Sequence, residues 1–270
     1  MNPNDLIHLT DNPDMIEGIY NFCDRWCERC AFTRRCANFA IGQAQFPEGV
    51  PADPARDQFW AGLSSVLENT LELLQQVAVE RGFDLDQDAD VAAAVARSEA
   101  LRSAAEAHPL TQGALAYAEM SITWLESAQE IFEAKGTDLT MLARLNVAGA
   151  AAEAQAVAIG DAVAVIQWYE DFIHLKLQRA LQGQLEEQIT PELWAGQASD
   201  ADGSAKVALI AIDRSIGAWG QLLRHFPEQE TPLLEILAHL DRLRRAAERQ
   251  FPHARAFIRP GFDTVGLDDL

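Results

Sequence analysis

Residues 147–166 read VAGAAAEAQAVAIGDAVAVI, and this stretch decides the fold. Alanine has the highest helix propensity and lets helix backbones approach closely. Glu153, Gln155 and Asp161 interrupt the run, so it suits a buried helix rather than a membrane span. A helix that is apolar nearly all round must be covered by neighbours. The stretch therefore predicts a long Ala-rich helix over 138–184 at the centre of an all-α, multi-helix bundle.

Outward from that centre the punctuation is helical almost throughout. Gly136 followed by Thr137-Asp138 reads as the end of one helix and the start of the next. Asn12-Pro13, Asp53-Pro54 and Thr231-Pro232 each read as an N-cap with proline at the first helical position. Helices are expected near 13–44, 54–81, 87–107, 109–135, 138–184, 204–226 and 232–250. No run alternates as a strand would. A loop rich in Gly, Ser and Asp is expected over 196–204. From Phe251 an irregular tail carries Pro252, Pro260, Gly261 and Gly266. No solenoid repeat and no long linker divides the chain. A single all-helical domain over 1–270 is expected, with a metal-binding N-terminal segment at 13–44.

Lys and Arg number 21 against 41 Asp and Glu, a net charge of -20. Such a surface repels phosphate backbones and anionic lipid, so neither nucleic acid nor membrane is an expected partner. The N-terminus, MNPND, lacks the basic and apolar regions of a secretory signal. A cytoplasmic location is expected, where thiols stay reduced and available to a metal.

All four cysteines, Cys23, Cys27, Cys30 and Cys36, fall within fourteen residues, spaced C-x3-C-x2-C-x5-C. Cysteines kept for packing scatter, and those kept for disulfides spread out to close loops. A tight set of four is what one metal or one iron–sulfur cluster asks of its ligands. On a helix Cys23, Cys27 and Cys30 would share an arc of about 60° with Ile16 and Ile19, which allows a plain core-facing stripe instead. Under the site reading the chain must turn between Ala31 and Arg35 to bring Cys36 round.

The run Cys27-Glu28-Arg29-Cys30-Ala31-Phe32-Thr33-Arg34-Arg35-Cys36 resembles the [4Fe–4S] loop of helix-hairpin-helix DNA glycosylases, which carry C-x2-C-x5-C. The resemblance implies a cluster type and no activity. The glycosylases' first cysteine lies farther upstream than Cys23, and their basic DNA-binding face has no counterpart here. Cys23-x3-Cys27-x2-Cys30 also has the cysteine spacing of radical S-adenosylmethionine enzymes, but those use an α/β barrel and leave one iron open, which a fourth cysteine would close. Zinc is the alternative, although structural zinc sites usually join two knuckles across a longer gap. Arg25, Arg29, Arg34 and Arg35 surround the cysteines against Asp24 and Glu28, a local charge that would offset a dianionic cluster. Trp26, Phe22 and Phe32 are candidates to shield it.

Polar residues inside the apolar helices suggest a second site. Glu153 and Asp171 lie five turns apart on one face, with Gln167, Glu170 and His174 nearby. Asp171-x2-His174 partly resembles the carboxylate–histidine pairs of di-iron bundles, but no Glu-x2-His exists in the chain, so a complete di-iron site is not expected. A capped or salt-bridged histidine is the ordinary explanation. Asp213 sits in an apolar run and is expected to be buried and paired, with Arg214 or a partner elsewhere in the chain. Glu170, His174 and Asp213 are the candidate catalytic residues if the bundle holds a pocket. The combined expectation is a redox or electron-transfer protein, or an oxidoreductase, with a [4Fe–4S] cluster and a protein redox partner. The alternative is a non-catalytic interaction module with structural zinc.

Overall fold

The computed structural model describes residues 12–45, 57–81, 88–145, 149–194 and 199–264. The fold is all-α: among the described residues there is no strand. The helices are α1 Ala37–Gln45, α2 Asp57–Arg81, α3 Asp88–Glu106, α4 Pro109–Ser127, α5 Gln129–Arg144, α6 Gly149–Ile189, α7 Pro191–Trp194, α8 Asp200–His225 and α9 Glu230–Gln250. The chain divides into two compact units, one of residues 1–98 with 258–270, the other of residues 99–257.

In the second unit α6 is the central element, packed against α4, α5 and α8, while α9 lies on α4 and α8. Ile166, Tyr169, Ile173, Leu177 and Ala180 on α6 are fully buried, at the three- and four-residue spacing of one helix face. They meet α8 in antiparallel register, as shown by Gly183, whose ideal Cβ would lie 3.4 Å from the Ala201 backbone. Aromatic rings brace one end edge to face. Trp124 meets Trp219 at 5.2 Å and Phe132 at 5.8 Å, and Phe132 meets Phe226 at 5.2 Å. The buried Trp219 Nε1–H donates to the Tyr117 hydroxyl at 3.1 Å, which satisfies the indole without water.

The 147–166 reading needs correction. The long helix starts at Gly149, not 138, and runs to Ile189. Gly136 and Thr137 lie inside α5, where the Thr137 and Thr140 hydroxyls donate back to the carbonyls of Glu133 and Gly136. The expected helix 109–135 is two helices broken at Ala128. Nor is the Ala-rich stretch covered all round. Ala152, Ile159 and Ala162 are buried, but Glu153 to Val157 are exposed, Val157 by 71 %. The reason is length. At 41 residues α6 spans roughly 60 Å, whereas the 26 residues of α8 span roughly 40 Å and leave its N-terminal turns uncovered.

Further corrections follow from side chains that capture backbone groups. Ser199 caps α8 by accepting from the Asp202 N–H at 3.1 Å, so Asp200 to Ser204 are helical rather than loop. Helix α9 begins at Glu230, one residue before Thr231-Pro232. Asp53-Pro54 lies outside the described residues. The tail is irregular as expected, with a 3-10 turn at Ala254–Ala256 and turns up to residue 264.

The largest departure is at 13–44, where α-helix begins only at Ala37. Upstream the chain makes three 3-10 turns, Ile19–Asn21, Cys27–Arg29 and Thr33–Arg35. Asn12 Oδ1 accepts from the Asp14 N–H at 2.9 Å, and Asp24 Oδ1 accepts from the Trp26 N–H at 3.2 Å. These local bonds compete with the helical ladder, so Asn12-Pro13 opens a turn and not a helix. Gly18 and Arg25 are in the left-handed region, at φ 71° and 60°. The tail belongs to the same unit: Phe262 meets Phe32 edge to face at 5.1 Å, and Gly261 lies against Ile16 and Ile19.

Candidate metal centre

The three 3-10 turns set the cysteines. Cys23 follows the first turn, Cys27 opens the second, Cys30 ends it, and Cys36 ends the third and leads into α1. A continuous helix would carry Cys36 to the opposite side from the other three. The turns, with left-handed Arg25 between Cys23 and Cys27, bring all four to the wall of one cavity of about 20 Å³. The core-stripe reading of Cys23, Cys27 and Cys30 therefore fails, because the helix it needs is not there.

All four cysteines are half-buried and free of disulfides. Their thiols sense one another. Burial raises Cys27, and negative charge on Cys23, Cys30 and Cys36 raises it further. Burial likewise raises Cys30, the Phe32 N–H opposes this by donating to the Cys30 sulfur at 3.4 Å, and Cys23, Asp24 and Cys36 add to the rise. Cys27 and Cys30, whose ionisation burial and the neighbouring cysteines disfavour, need a cation beside them to become thiolates together. A backbone N–H already aimed at Cys30 Sγ supports a thiolate there.

The rest of the wall is mostly apolar and aromatic, with Ile19, Trp26, Phe32, Phe39 and Phe262 prominent beside Asp24, Arg25 and Thr33. Ile19 and Phe32 are buried. Arg25, Arg29, Arg34 and Arg35 are exposed around it, Arg29 stacked over the Trp26 ring at 3.8 Å. The Arg35 Nε–H donates to the Asp14 carbonyl at 3.2 Å, and the Arg35 carbonyl accepts from the Ile16 N–H at 2.9 Å. Among the described residues no three His, Cys, Asp or Glu side chains are disposed to hold a single metal ion. Phe39, Gly261 and Phe262 were not legible as site residues. A Pro260-Gly261 pair signals a turn but not what the turn packs against.

The second set of candidates does not assemble as expected. Glu153, Gln167 and Asp171 are exposed. Glu170 and His174, one turn apart on α6, turn inward: Glu170 Oε2 and His174 Nδ1 are buried with no hydrogen-bond partner among the described residues. The histidine is thus neither capped nor salt-bridged through Nδ1. Burial, then the Asp171 charge, raises the Glu170 carboxyl above its usual range. Asp213 is not buried. It is 39 % exposed and pairs with Arg255 at 2.6 Å and Arg244 at 3.6 Å. Arg214 instead bonds the Tyr169 hydroxyl. Asp213 is thus held by cations from the α9 side, while Glu170 and His174 sit on α6.

No family model, curated protein or solved structure matches this chain. No helix among the described residues is long and apolar enough to cross a membrane.

Proposed function

We propose that Cys23, Cys27, Cys30 and Cys36 bind one inorganic centre, a [4Fe–4S] cluster, and that the protein uses it in electron transfer or as an oxidoreductase. The observation that carries the reading is four cysteines on the wall of one cavity, contributed by fourteen consecutive residues. Each thiolate would take one iron. The cluster would supply a one-electron couple, and this chain's own groups would tune it. The Phe32 N–H at Cys30 Sγ and the arginines around the cavity oppose the cluster's negative charge and raise its potential. Trp26, Phe32 and Phe262 would limit water access. A protein redox partner would exchange the electron from the exposed side, where the arginines stand.

A second reading is structural zinc in a non-catalytic interaction protein. The observation that favours it is the cavity's size, about 20 Å³, the room of a single atom. The cysteine side chains would have to close on the ion, since among the described residues no three are disposed to hold one as they stand. Anaerobic purification separates the two. Brown protein with broad visible absorption, iron and acid-labile sulfide in equal amounts, and a paramagnetic signal on reduction by dithionite support the cluster. Colourless protein with one zinc per chain establishes the second reading, and protein that takes up neither metal overturns both.

A further inference from the structure

A second feature lies wholly in the unit of residues 99–257 and owes nothing to the cysteines. Along α9, His239, Arg242, Ala246 and Arg249 recur at three- and four-residue spacing, so they form one stripe nearly three turns long. That stripe faces the start of α4, and the groove between them has a volume of about 420 Å³, within the usual range for a small-molecule site.

The groove's chemistry runs against that of the whole molecule. The chain carries 41 acidic residues, yet none lines this groove. His108, His239, Arg242 and Arg249 do. Arg179, Arg244, Arg245 and Arg255 of the same unit are all held in ion pairs. Among the described residues Arg242 and Arg249 have none. Two guanidiniums left unpaired along one wall are forks suited to carboxylate or phosphate oxygens.

The other wall adds to this. His239 Nε2 lies 2.7 Å from the Gly113 carbonyl, which fixes the ring in the groove with Nδ1 left for other partners. His108 caps α4, its Nδ1 accepting from the Leu110 N–H at 3.2 Å. The first turn of α4, the positive end of its dipole, thus borders the groove. Ala246 between the arginines leaves the floor open, and Pro109, Leu110 and Leu243 make it apolar. We propose that this groove binds a small organic anion bearing phosphoryl or paired carboxylate groups, with Arg242 and Arg249 as its charge ligands and His239 as a positioning hydrogen-bond partner.

The test is isothermal calorimetry on the full chain with two probes, inorganic pyrophosphate and citrate. Binding of at least one is expected with a dissociation constant below about 1 mM. Losing one charge-assisted contact should weaken it about tenfold, and R242A/R249A should weaken it further. R242Q/R249Q, which keeps side-chain bulk, should behave alike, and circular dichroism verifies that both variants fold. R224A removes an exposed arginine elsewhere in the bundle, and R25A/R34A removes two from the cysteine site; both should bind as wild type. Tight phosphate with no citrate binding selects a phosphorylated ligand, and the converse a polycarboxylate. Three results overturn the proposal: no heat from either probe at about 10 mM, undiminished binding by both double variants, or loss of binding in R25A/R34A.

Discussion

Gly261→Ala tests whether the C-terminal turn closes the cysteine cavity. At φ 76° this residue is in the left-handed region, which costs an L-residue about 1–2 kcal/mol. An added Cβ would lie 2.9 Å from Ile19 Cδ1 and 3.1 Å from Ile16 Cδ1. Ile19 is only 2 % exposed and has little room to yield, and overpacking costs about 1–3 kcal/mol. Alanine's smaller unfolded-state freedom returns about 0.4–1 kcal/mol. Taken near the middle of their ranges, these terms leave a net local loss of about 2–4 kcal/mol. Gly18→Ala is the control. Its φ of 71° carries the same backbone cost, but the nearest atom is 3.7 Å away, so it should lose only about 0.5–1 kcal/mol. The readout is amide hydrogen exchange at Ile16, whose N–H is held by the Arg35 carbonyl at 2.9 Å. With tenfold per 1.4 kcal/mol, exchange should quicken about 30- to 1000-fold in G261A and less than about tenfold in G18A. Equal acceleration in the two variants would refute the claim that the turn is packed on Ile16 and Ile19.

Cys30→Ala should abolish metal content while the far-ultraviolet helix signal persists, because the centre needs every thiolate and the bundle's core lies in a separate unit. In metal-free protein Cys27 and Cys30 are raised above the ordinary thiol value of 9.0, so alkylation should be slower than for free cysteine at the same pH. The stability those raised thiols contribute is present below pH 9.0 and lost as the pH climbs through their folded values, which a pH series of thermal melts of the metal-free segment would register. Tyr117→Phe should cost about 1–3 kcal/mol in chemical denaturation, since it leaves the fully buried Trp219 N–H without its acceptor. Asp213→Ala should cost less than about 1 kcal/mol, as its ion pairs are more than a third exposed; a loss several times larger would restore the buried reading of that residue.

What could be read from the sequence was what depends on local chemistry alone. Ala-rich stretches with helix punctuation gave the all-α class, and the spacing of Cys23, Cys27, Cys30 and Cys36 marked the one segment where they line a common cavity. Periodicity failed where two signals of similar strength compete. Gly136-Thr137-Asp138 looks like a stop and a start, yet a glycine costs a helix interior only about 1 kcal/mol, and the packed α5 absorbs it. Conversely, nothing apolar marks 13–36 as non-helical, because its turns arise from Asn12 and Asp24 taking backbone N–H groups for themselves. Asp213 reads as buried from its sequence because an apolar neighbourhood there does not reveal Arg255, 42 residues later, reaching it from beyond α9. Contacts of that kind are tertiary, and so is the placing of Phe262 beside Phe32.

Backbone strain gathers around the cysteine segment. Among the described residues just three have positive φ: Gly18, Arg25 and Gly261. Two are glycines, where the conformation is cheap, and all three border the cysteine segment or pack upon it. Arg25 is the exception, a long side chain in the left-handed region at a cost of about 1–2 kcal/mol. Such strain persists only where surrounding structure over-determines it. The packing near Arg25 is slight, since the residue itself is exposed and its neighbours Cys23, Asp24, Trp26 and Cys27 are only half-buried. Hydrophobic burial is therefore a poor candidate for what holds the backbone there; two local hydrogen bonds bracket it instead, from the Trp26 N–H to Asp24 Oδ1 at 3.2 Å and from the Cys27 N–H to the Arg25 carbonyl at 3.0 Å. The turn it makes does achieve one thing: it sets the sulfurs of Cys23 and Cys27 on the same cavity wall. Arg25→Gly separates the two explanations. It should relieve the strain and stabilise the metal-free segment if the local hydrogen bonds alone govern the turn, and leave metal affinity unchanged. If ligand geometry governs it, the freed backbone should bind the metal more weakly even as the strain disappears, because the pre-set angle between the two thiolates is lost.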